Sequence, residues 1–312
     1  MSISIRDIIE AERAIRPYIR TTPVMEVDPA DFGLNWRGRM TLKLECMQHT
    51  GSFKPRGAFA SLLLPERETR AIAAASGGNH GAAVAHAAKT LGLKATIFVP
   101  EISSPAKIAK IRATGCDLRI GGANYAEALA ACQAFQAESG ARDIHAYDAP
   151  LTVTGQGTLG LEWAAQSHDM THVLIAIGGG GLISGVGAAF YAGPSVIGVE
   201  PEGSRAAQAA RAAGEPVKVD VKSVAADSLG ASSIGGLNHE LIDSHVDQLL
   251  LVEDDAIRAA QEALWQSCGI ASEPGGAAAM AALMSGRFMP PQGAHVGVLV
   301  CGANVDPATL SA

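Results

Sequence analysis

The run HVLIAIGGGGLISGVGAA, residues 172–189, decides the fold. Its opening, His172–Ile177, is a short apolar run of strand length. Four consecutive glycines, Gly178 to Gly181, follow, and the remainder reads as an apolar helix. A strand that turns through glycines into a helix leaves backbone N–H groups free to approach an anion, with the helix N-terminus behind them. A phosphate is the expected ligand. No G-x-G-x-x-G or G-x-G-x-x-A register fits residues 178–190, and no Gly-Lys-Ser/Thr follows, so this is neither a dinucleotide fingerprint nor a Walker loop. A lone phosphate on a small cofactor fits better than a nucleotide. The competing reading is a turn that only lets a helix pack close to the sheet, although four glycines in a row lose much backbone entropy on folding.

Working outward, the same alternation recurs from residue 71 onward. Ala71–Ala75, Ala95–Val99, Asp143–Ala146, Ser195–Val199, Gln248–Val252 and His295–Val300 read as further strands. Helix-like stretches separate them: Asn79–Thr90, Ser104–Ala113, Asn124–Glu138, Gly157–Gln166, Asp254–Ser267 and Gly276–Met284. Repeated strand–helix alternation implies an α/β chain with parallel sheets covered by helices. Nearer the N-terminus, Ile5, Ile8, Ile9 and Ile15 lie at helical spacing with Ser4 as a cap, and Met40, Leu42 and Leu44 alternate with Thr41, Lys43 and Glu45 as a short strand. The weak boundaries are Leu64–Arg70 and Ala149–Pro150. The polar, glycine-bearing stretch 214–240 reads as a ligand-side loop.

Three unusual segments follow strands: Gly178–Gly181, Ser76-Gly77-Gly78-Asn79-His80-Gly81, and Cys301-Gly302-Ala303-Asn304. In open parallel sheets ligands bind beyond the carboxyl ends of strands, so all three point at one cleft. A fourth segment is Thr50-Gly51-Ser52-Phe53-Lys54-Pro55-Arg56-Gly57-Ala58. Pro55 suits the first helical position, which puts Lys54 at a helix start, the unfavourable end of the dipole for a cation. That placement lowers an amine's pKa and keeps it nucleophilic, as Schiff-base chemistry requires; the plain alternative is a solvated lysine. Ser76 and Asn79 could equally cap the following helix, and Cys301 could be a buried packing residue.

Composition excludes other classes. A formal charge of −7 without a basic run lacks the footprint that nucleic acid requires. Five scattered cysteines without a C-x-x-C pair argue for a reducing, cytoplasmic setting. No signal-type block opens the chain and no uninterrupted apolar span of about 18 residues appears, so a soluble protein is expected. There is no G-x-S-x-G, no H-E-x-x-H, and the nine histidines show no metal-ligand pattern and read mostly as surface or cap residues.

Taken in order, these segments resemble the threonine/serine dehydratase group of fold-type II pyridoxal-phosphate enzymes, the family that also holds serine racemase. Gly51–Ala58 looks like its lysine motif, Ser76–Gly81 like its asparagine loop, and Tyr147 to Glu162, with Gly155-Gln156-Gly157-Thr158, like a further family stretch. The resemblance implies two parallel-sheet-centred α/β domains with the cofactor between them: residues 1–70 plus 149–312 as the larger, cofactor-binding domain and 71–148 as the smaller. It implies that pyridoxal 5′-phosphate is held by Lys54 as a Schiff base and that Lys54 then serves as the base. Phe53 would pack near the cofactor, Asn79 bond its ring hydroxyl, Gly178, Gly179, Gly180, Gly181 and the Leu182 amide hold its phosphate, and Cys301 face its ring nitrogen. Ser76, Gly77 and the amides near Asn79 and His80 would take the substrate carboxylate. A neutral thiol stabilises a pyridinium poorly, so early loss of a β-hydroxyl competes well, giving a 2-oxo acid and ammonia from L-serine, L-threonine or a relative. A homodimer is implied, with no nucleic-acid or membrane partner.

Departures sharpen this. Serine racemase carries a serine as opposite-face base where this chain has Gly77, which favours elimination over racemisation. Ala226-Asp227-Ser228 stands where the family has Ala-Asp-Gly. The family's cation site would fall on Glu200, Ser204 and Ala206, and Ala206 offers no ligand, so no metal is expected. The chain stops soon after Asp306, without a regulatory domain, and no amino-acid feedback is expected. A racemase or β-replacement synthase is the alternative enzyme, and a module that merely binds a phosphorylated small molecule is the alternative from another class.

Overall fold

The computed structural model describes residues 3–64, 71–103 and 105–306. Its strands are β1 (Val24–Val27), β2 (Arg39–Lys43), β3 (Ala71–Ala75), β4 (Lys94–Val99), β5 (Asp117–Ile120), β6 (Arg142–Asp143), β7 (His172–Ala176), β8 (Ser195–Pro201), β9 (Gln248–Val252) and β10 (His295–Leu299). They form two sheets. The larger runs β1-β2-β10-β7-β8-β9, parallel except where β1 pairs antiparallel with β2. The smaller runs β5-β4-β3-β6 and is parallel throughout. This is the expected α/β architecture with two parallel-sheet centres.

The helices are α1 (Ile5–Ile15), α2 (Lys54–Leu63), α3 (Asn79–Thr90), α4 (Pro105–Arg112), α5 (Tyr125–Ser139) and α6 (Pro150–Gln166). After them come α7 (Gly181–Ala189), α8 (Ala206–Ala213), α9 (Ala226–Leu229), α10 (Gly236–His245), α11 (Asp254–Cys268) and α12 (Pro274–Met284). Ser4 caps α1 as expected, in a reciprocal box: its Oγ accepts from the Asp7 amide at 3.2 Å and the Asp7 carboxylate accepts from the Ser4 amide at 2.9 Å.

Several boundaries differ from the sequence reading. β1 and β5 were not foreseen, because each has four residues and no clean alternation of buried and exposed positions. Asp143–Ala146 contributes only Asp143 to a two-residue strand. α6 starts at Pro150, not Gly157, so its first two turns went unread. Glycine disfavours helix, yet α6 keeps glycines because its neighbours come close. A Cβ on Gly157 would stand 3.0 Å from the Gly185 carbonyl of α7, and one on Gly155 would stand 2.5 Å from the Arg56 carbonyl of α2. The boundary at Leu64–Arg70 lies outside the described residues from position 65, as does Ser104 at the expected helix start.

Two large apolar clusters, with two smaller ones beside them, form the interior of the described residues. One surrounds the larger sheet, with Trp163, Leu174, Ile175, Ile183 and Met280 among its members. The other underlies the smaller sheet, where Ile72, Val84, Ile97 and Ile111 meet Phe59 and Leu62 of α2 and Ile15 at the end of α1. Thus α2, which begins at Lys54, packs beneath the smaller sheet while also lying against α6.

The start of α2 is anchored by buried charge. The polar positions of the β2 alternation do not face water: Lys43, Glu45 and Arg56 are each 0% exposed. Arg56 donates to Glu45 at 2.6 Å and lies 3.0 Å from Glu162, which also meets Lys43 Nζ at 2.6 Å and the Arg16 guanidinium at 2.9 Å. Breaking such a buried network strands an uncompensated charge, which costs about 3–5 kcal/mol.

Candidate active site

The cleft lies where strand ends meet. β7 and β10 are neighbours in the larger sheet, so the glycine loop after one and Cys301 after the other lie side by side. Phe53, Lys54, Asn79, Gly178, Gly179, Gly180, Gly181, Leu182 and Cys301 all line a single cleft. Ala146, Tyr147, Gln156, Ser228, Leu229 and Glu273 line it as well. Ser228 and Leu229 come from the 214–240 stretch.

The glycine loop is tight. Gly180 takes φ +93°, a left-handed conformation open to glycine, and caps α7 without any side-chain bond. Cβ atoms on its neighbours would collide: on Gly178 at 3.0 Å from the Leu229 Cα, on Gly181 at 2.5 Å from the Tyr147 carbonyl, and on Gly179 directly into the Tyr147 ring. The buried Asn238 amide ties the loop down by donating to the Gly179 carbonyl at 2.9 Å and the Tyr147 carbonyl at 3.0 Å. The first amides of α7 have no carbonyl one turn earlier to serve and are left for an anion.

Lys54 is half-buried at the first position of α2, with Pro55 next to it. Its amine donates to the Ala146 carbonyl at 2.7 Å and lies 5.1 Å from the centre of the Phe53 ring. Loss of hydration pulls its pKa down to about 8, a shift that Cys301 and Glu273 partly oppose. Near neutral pH a useful fraction of this amine is therefore unprotonated, where an ordinary lysine has almost none.

Cys301 is 3% exposed and its thiol points at the Gly275 carbonyl, 3.6 Å away. Burial, reinforced by Glu273, raises its pKa, so it stays a neutral thiol. Burial also raises the pKa of the Glu273 carboxyl, against the pull of Asn79 and three lysines. Asn79 donates through Nδ2 to Glu273 at 2.6 Å. Gln156 is 1% exposed, and its carbonyl oxygen has no hydrogen-bond partner among the described residues.

Ser76, Gly77 and His80 share the Asn79 loop but do not line this cleft. Ser76 does not cap α3: the N-cap is Gly78, without a side-chain bond, and Ser76 Oγ accepts from the Gly78 amide at 3.2 Å. The His80 ring is buried, its Nε2 2.7 Å from the Ile144 carbonyl, and burial with the nearby Lys54 charge lowers its pKa to about 3. Seven of the nine histidines are exposed or half-buried, and only His80 and His295 are buried. Gly77 has no room for a side chain, because a Cβ would overlap Ser103 Oγ. At the other place considered for a cation, both Glu200 oxygens accept from the first turn of α8, from the Ala207 and Gln208 amides at 2.8 Å each.

Sequence reasoning missed Glu273, Asn238 and Ala146 and assigned no role to Tyr147 or Gln156. The segment Ser272-Glu273-Pro274-Gly275-Gly276 held a usable signal: a carboxylate immediately before a Pro-Gly-Gly helix start.

The residues fit a phosphorylated aldehyde cofactor. A glycine cradle that Cβ atoms would fill, an amine of lowered pKa and Gln156, whose carbonyl oxygen has no partner among the described residues, all line the same cleft. Residues 15–302 match the family model described as pyridoxal-phosphate dependent enzyme. The chain is 38% identical to a phenylserine dehydratase of Ralstonia pickettii, over 95% of this chain and 92% of the relative. It is 34% identical to a catabolic L-threonine dehydratase of Staphylococcus aureus, over 99% and 91%. Among solved structures, maize serine racemase superposes with a TM-score of 0.92 at 32% identity, covering 99% of this chain and 96% of that one.

Proposed function

The chain belongs to the family of pyridoxal-phosphate dependent enzymes, and on that premise we propose that it eliminates water from L-serine, L-threonine or a related β-hydroxy amino acid, the unsaturated amine so formed taking water back on hydrolysis, so that the net products are a 2-oxo acid and ammonia. Pyridoxal phosphate is its cofactor and, when bound, supplies an electron sink next to the substrate's Cα. A relative named for phenylserine supports testing an aryl substrate beside the two aliphatic ones.

In this reading Lys54 would hold the cofactor aldehyde covalently, and the amides of Gly178–Gly181 and Leu182 would receive its phosphate. Asn79 would bond the ring hydroxyl, Phe53 would pack near the ring, and Cys301 would face the ring nitrogen. Ser76, Gly77 and the amides near Asn79 and His80, on the loop that brings Asn79 into the cleft, would take the substrate carboxylate. The Lys54 amine would also accept the Cα proton; its lowered pKa keeps it unprotonated often enough to do so. The neutral Cys301 thiol would offer no negative charge to the ring nitrogen beside it, a setting suited to β-elimination.

What carries the reading is the presence of the Lys54 amine, the glycine run and the Cys301 thiol in one cleft. The test is a screen of β-hydroxy amino acids, with cofactor supplied, for 2-oxo acid and ammonia. A second reading, a racemase, is favoured by the likeness to maize serine racemase. Glycine at position 77 argues against it, since it has no side chain to move a proton on the opposite face. Formation of D-amino acid without 2-oxo acid would decide for the racemase.

The five cysteines are free thiols, which supports a cytoplasmic setting, and no described helix is long and apolar enough to cross a membrane. A homodimer is proposed on family likeness. The division into 71–148 and the remainder is supported by sheet membership, since β3 to β6 all fall within that range.

A further inference from the structure

Asn79 opens α3, behind a strand of the smaller sheet, and Glu273 immediately precedes α12, which packs on the larger sheet. They meet through the 2.6 Å bond from Asn79 Nδ2 to Glu273 Oε1. The other end of the Asn79 amide is occupied too: Asn304 Nδ2 donates to Asn79 Oδ1 at 2.6 Å.

The direction of this chain is fixed from its far end. Asn304 Nδ2 also donates to the Thr50 carbonyl at 2.9 Å, and Lys110 donates to Asn304 Oδ1. A carbonyl can only accept and an ammonium can only donate, so Asn304 cannot be turned over. Asn304 must therefore offer N–H to Asn79, Asn79 must present Oδ1 to Asn304, and its nitrogen must face Glu273. One of the two Nδ2 hydrogens goes to Glu273 and the other remains for the cleft. Gly302 makes the arrangement possible, because a Cβ there would overlap Glu273 Oε1.

We propose that Glu273 is a positioning residue that, together with Asn304, locks the Asn79 amide so that the cleft meets a hydrogen-bond donor and never an acceptor. A locked donor selects a ligand oxygen that accepts, and so holds the cofactor's ring hydroxyl in its ionised form. This rests on the Asn79 assignment made under Proposed function and adds the residue that orients it.

The experiment compares holoenzymes of wild type, Glu273→Ala, Glu273→Gln and Asn304→Ala by visible spectrum, cofactor dissociation constant and thermal melt. In Glu273→Ala the absorbance of the bound cofactor is expected to shift from the ionised-hydroxyl band toward the neutral one. Cofactor binding should weaken about three- to tenfold, the size of one net hydrogen bond. Glu273→Gln keeps an accepting oxygen and should stay near wild type in both measures. Asn304→Ala should reproduce the spectral shift by freeing the opposite end of Asn79, and it carries the test alone if Glu273→Ala does not fold. Wild-type spectra and affinities in both alanine variants would overturn the proposal, as would a Gln variant as impaired as the Ala variant. A wild-type protein that binds no cofactor would instead sink the underlying assignment.

Discussion

The ring of Tyr147 fills the space that a side chain on Gly179 would need, so a residue in the segment leading into α6 shapes the loop that follows β7. Tyr147 in turn is held through its carbonyl by Asn238, which also holds Gly179. The glycine loop is therefore built from three segments far apart in sequence.

Gly179→Ala should displace Tyr147 or the loop. Overpacking of this kind costs about 1–3 kcal/mol, and here it falls on the phosphate cradle. Cofactor affinity, measured by equilibrium dialysis, should drop roughly tenfold or more, while far-ultraviolet circular dichroism stays unchanged.

The Lys54 amine, with its pKa lowered to about 8, must be neutral to attack an aldehyde. Uptake of cofactor by the apoprotein should accelerate as pH rises, with a midpoint near 8. An ordinary lysine would place that midpoint some two units higher. Stopped-flow absorbance across pH 6 to 10 reads it directly.

Cys301→Asp would put a second carboxyl beside buried Glu273, where two like charges cannot both ionise cheaply. Release of 2-oxo acid should fall by at least about tenfold and the melting temperature should drop. Cys301→Ser, neutral and of similar size, should retain most of the turnover. Equal activity in the Asp variant would contradict the place given to Cys301.

Burial alone would raise the pKa of Glu162, but the charges of Arg56 and Lys43 outweigh it and bring it down to about 2. A carboxylate whose folded pKa is depressed stabilises fully above its unfolded value and loses that contribution as pH falls through its folded one. Wild type should thus lose stability steeply between about pH 4.5 and 2. Glu162→Gln should be weaker by about 3–5 kcal/mol at pH 7 and flatter across that acid range, as urea unfolding at a series of pH values would show.

What was legible from the sequence was local. A strand followed by an odd polar or glycine segment is written in consecutive residues, and each such segment ends up at the cleft or on the loop that enters it. What was not legible depends on partners distant in the chain. Glu273 is 194 positions from Asn79, and nothing near it in sequence declares the pairing. Lys43 and Glu45 sit in an alternation that resembles a solvated strand face, yet α2 and α6 cover it and supply Arg56 and Glu162. The edge strands β1 and β5 were missed because exposed, four-residue strands carry too little burial to impose a pattern.

The central claim is that the amine of residue 54 carries the cofactor, and borohydride reduction of the holoenzyme followed by peptide mapping tests it most directly. The expected result is one modified residue, Lys54, and a colourless, inactive Lys54→Ala protein. Label fixed at another lysine, or a Lys54→Ala protein that keeps both its colour and its turnover, would contradict it.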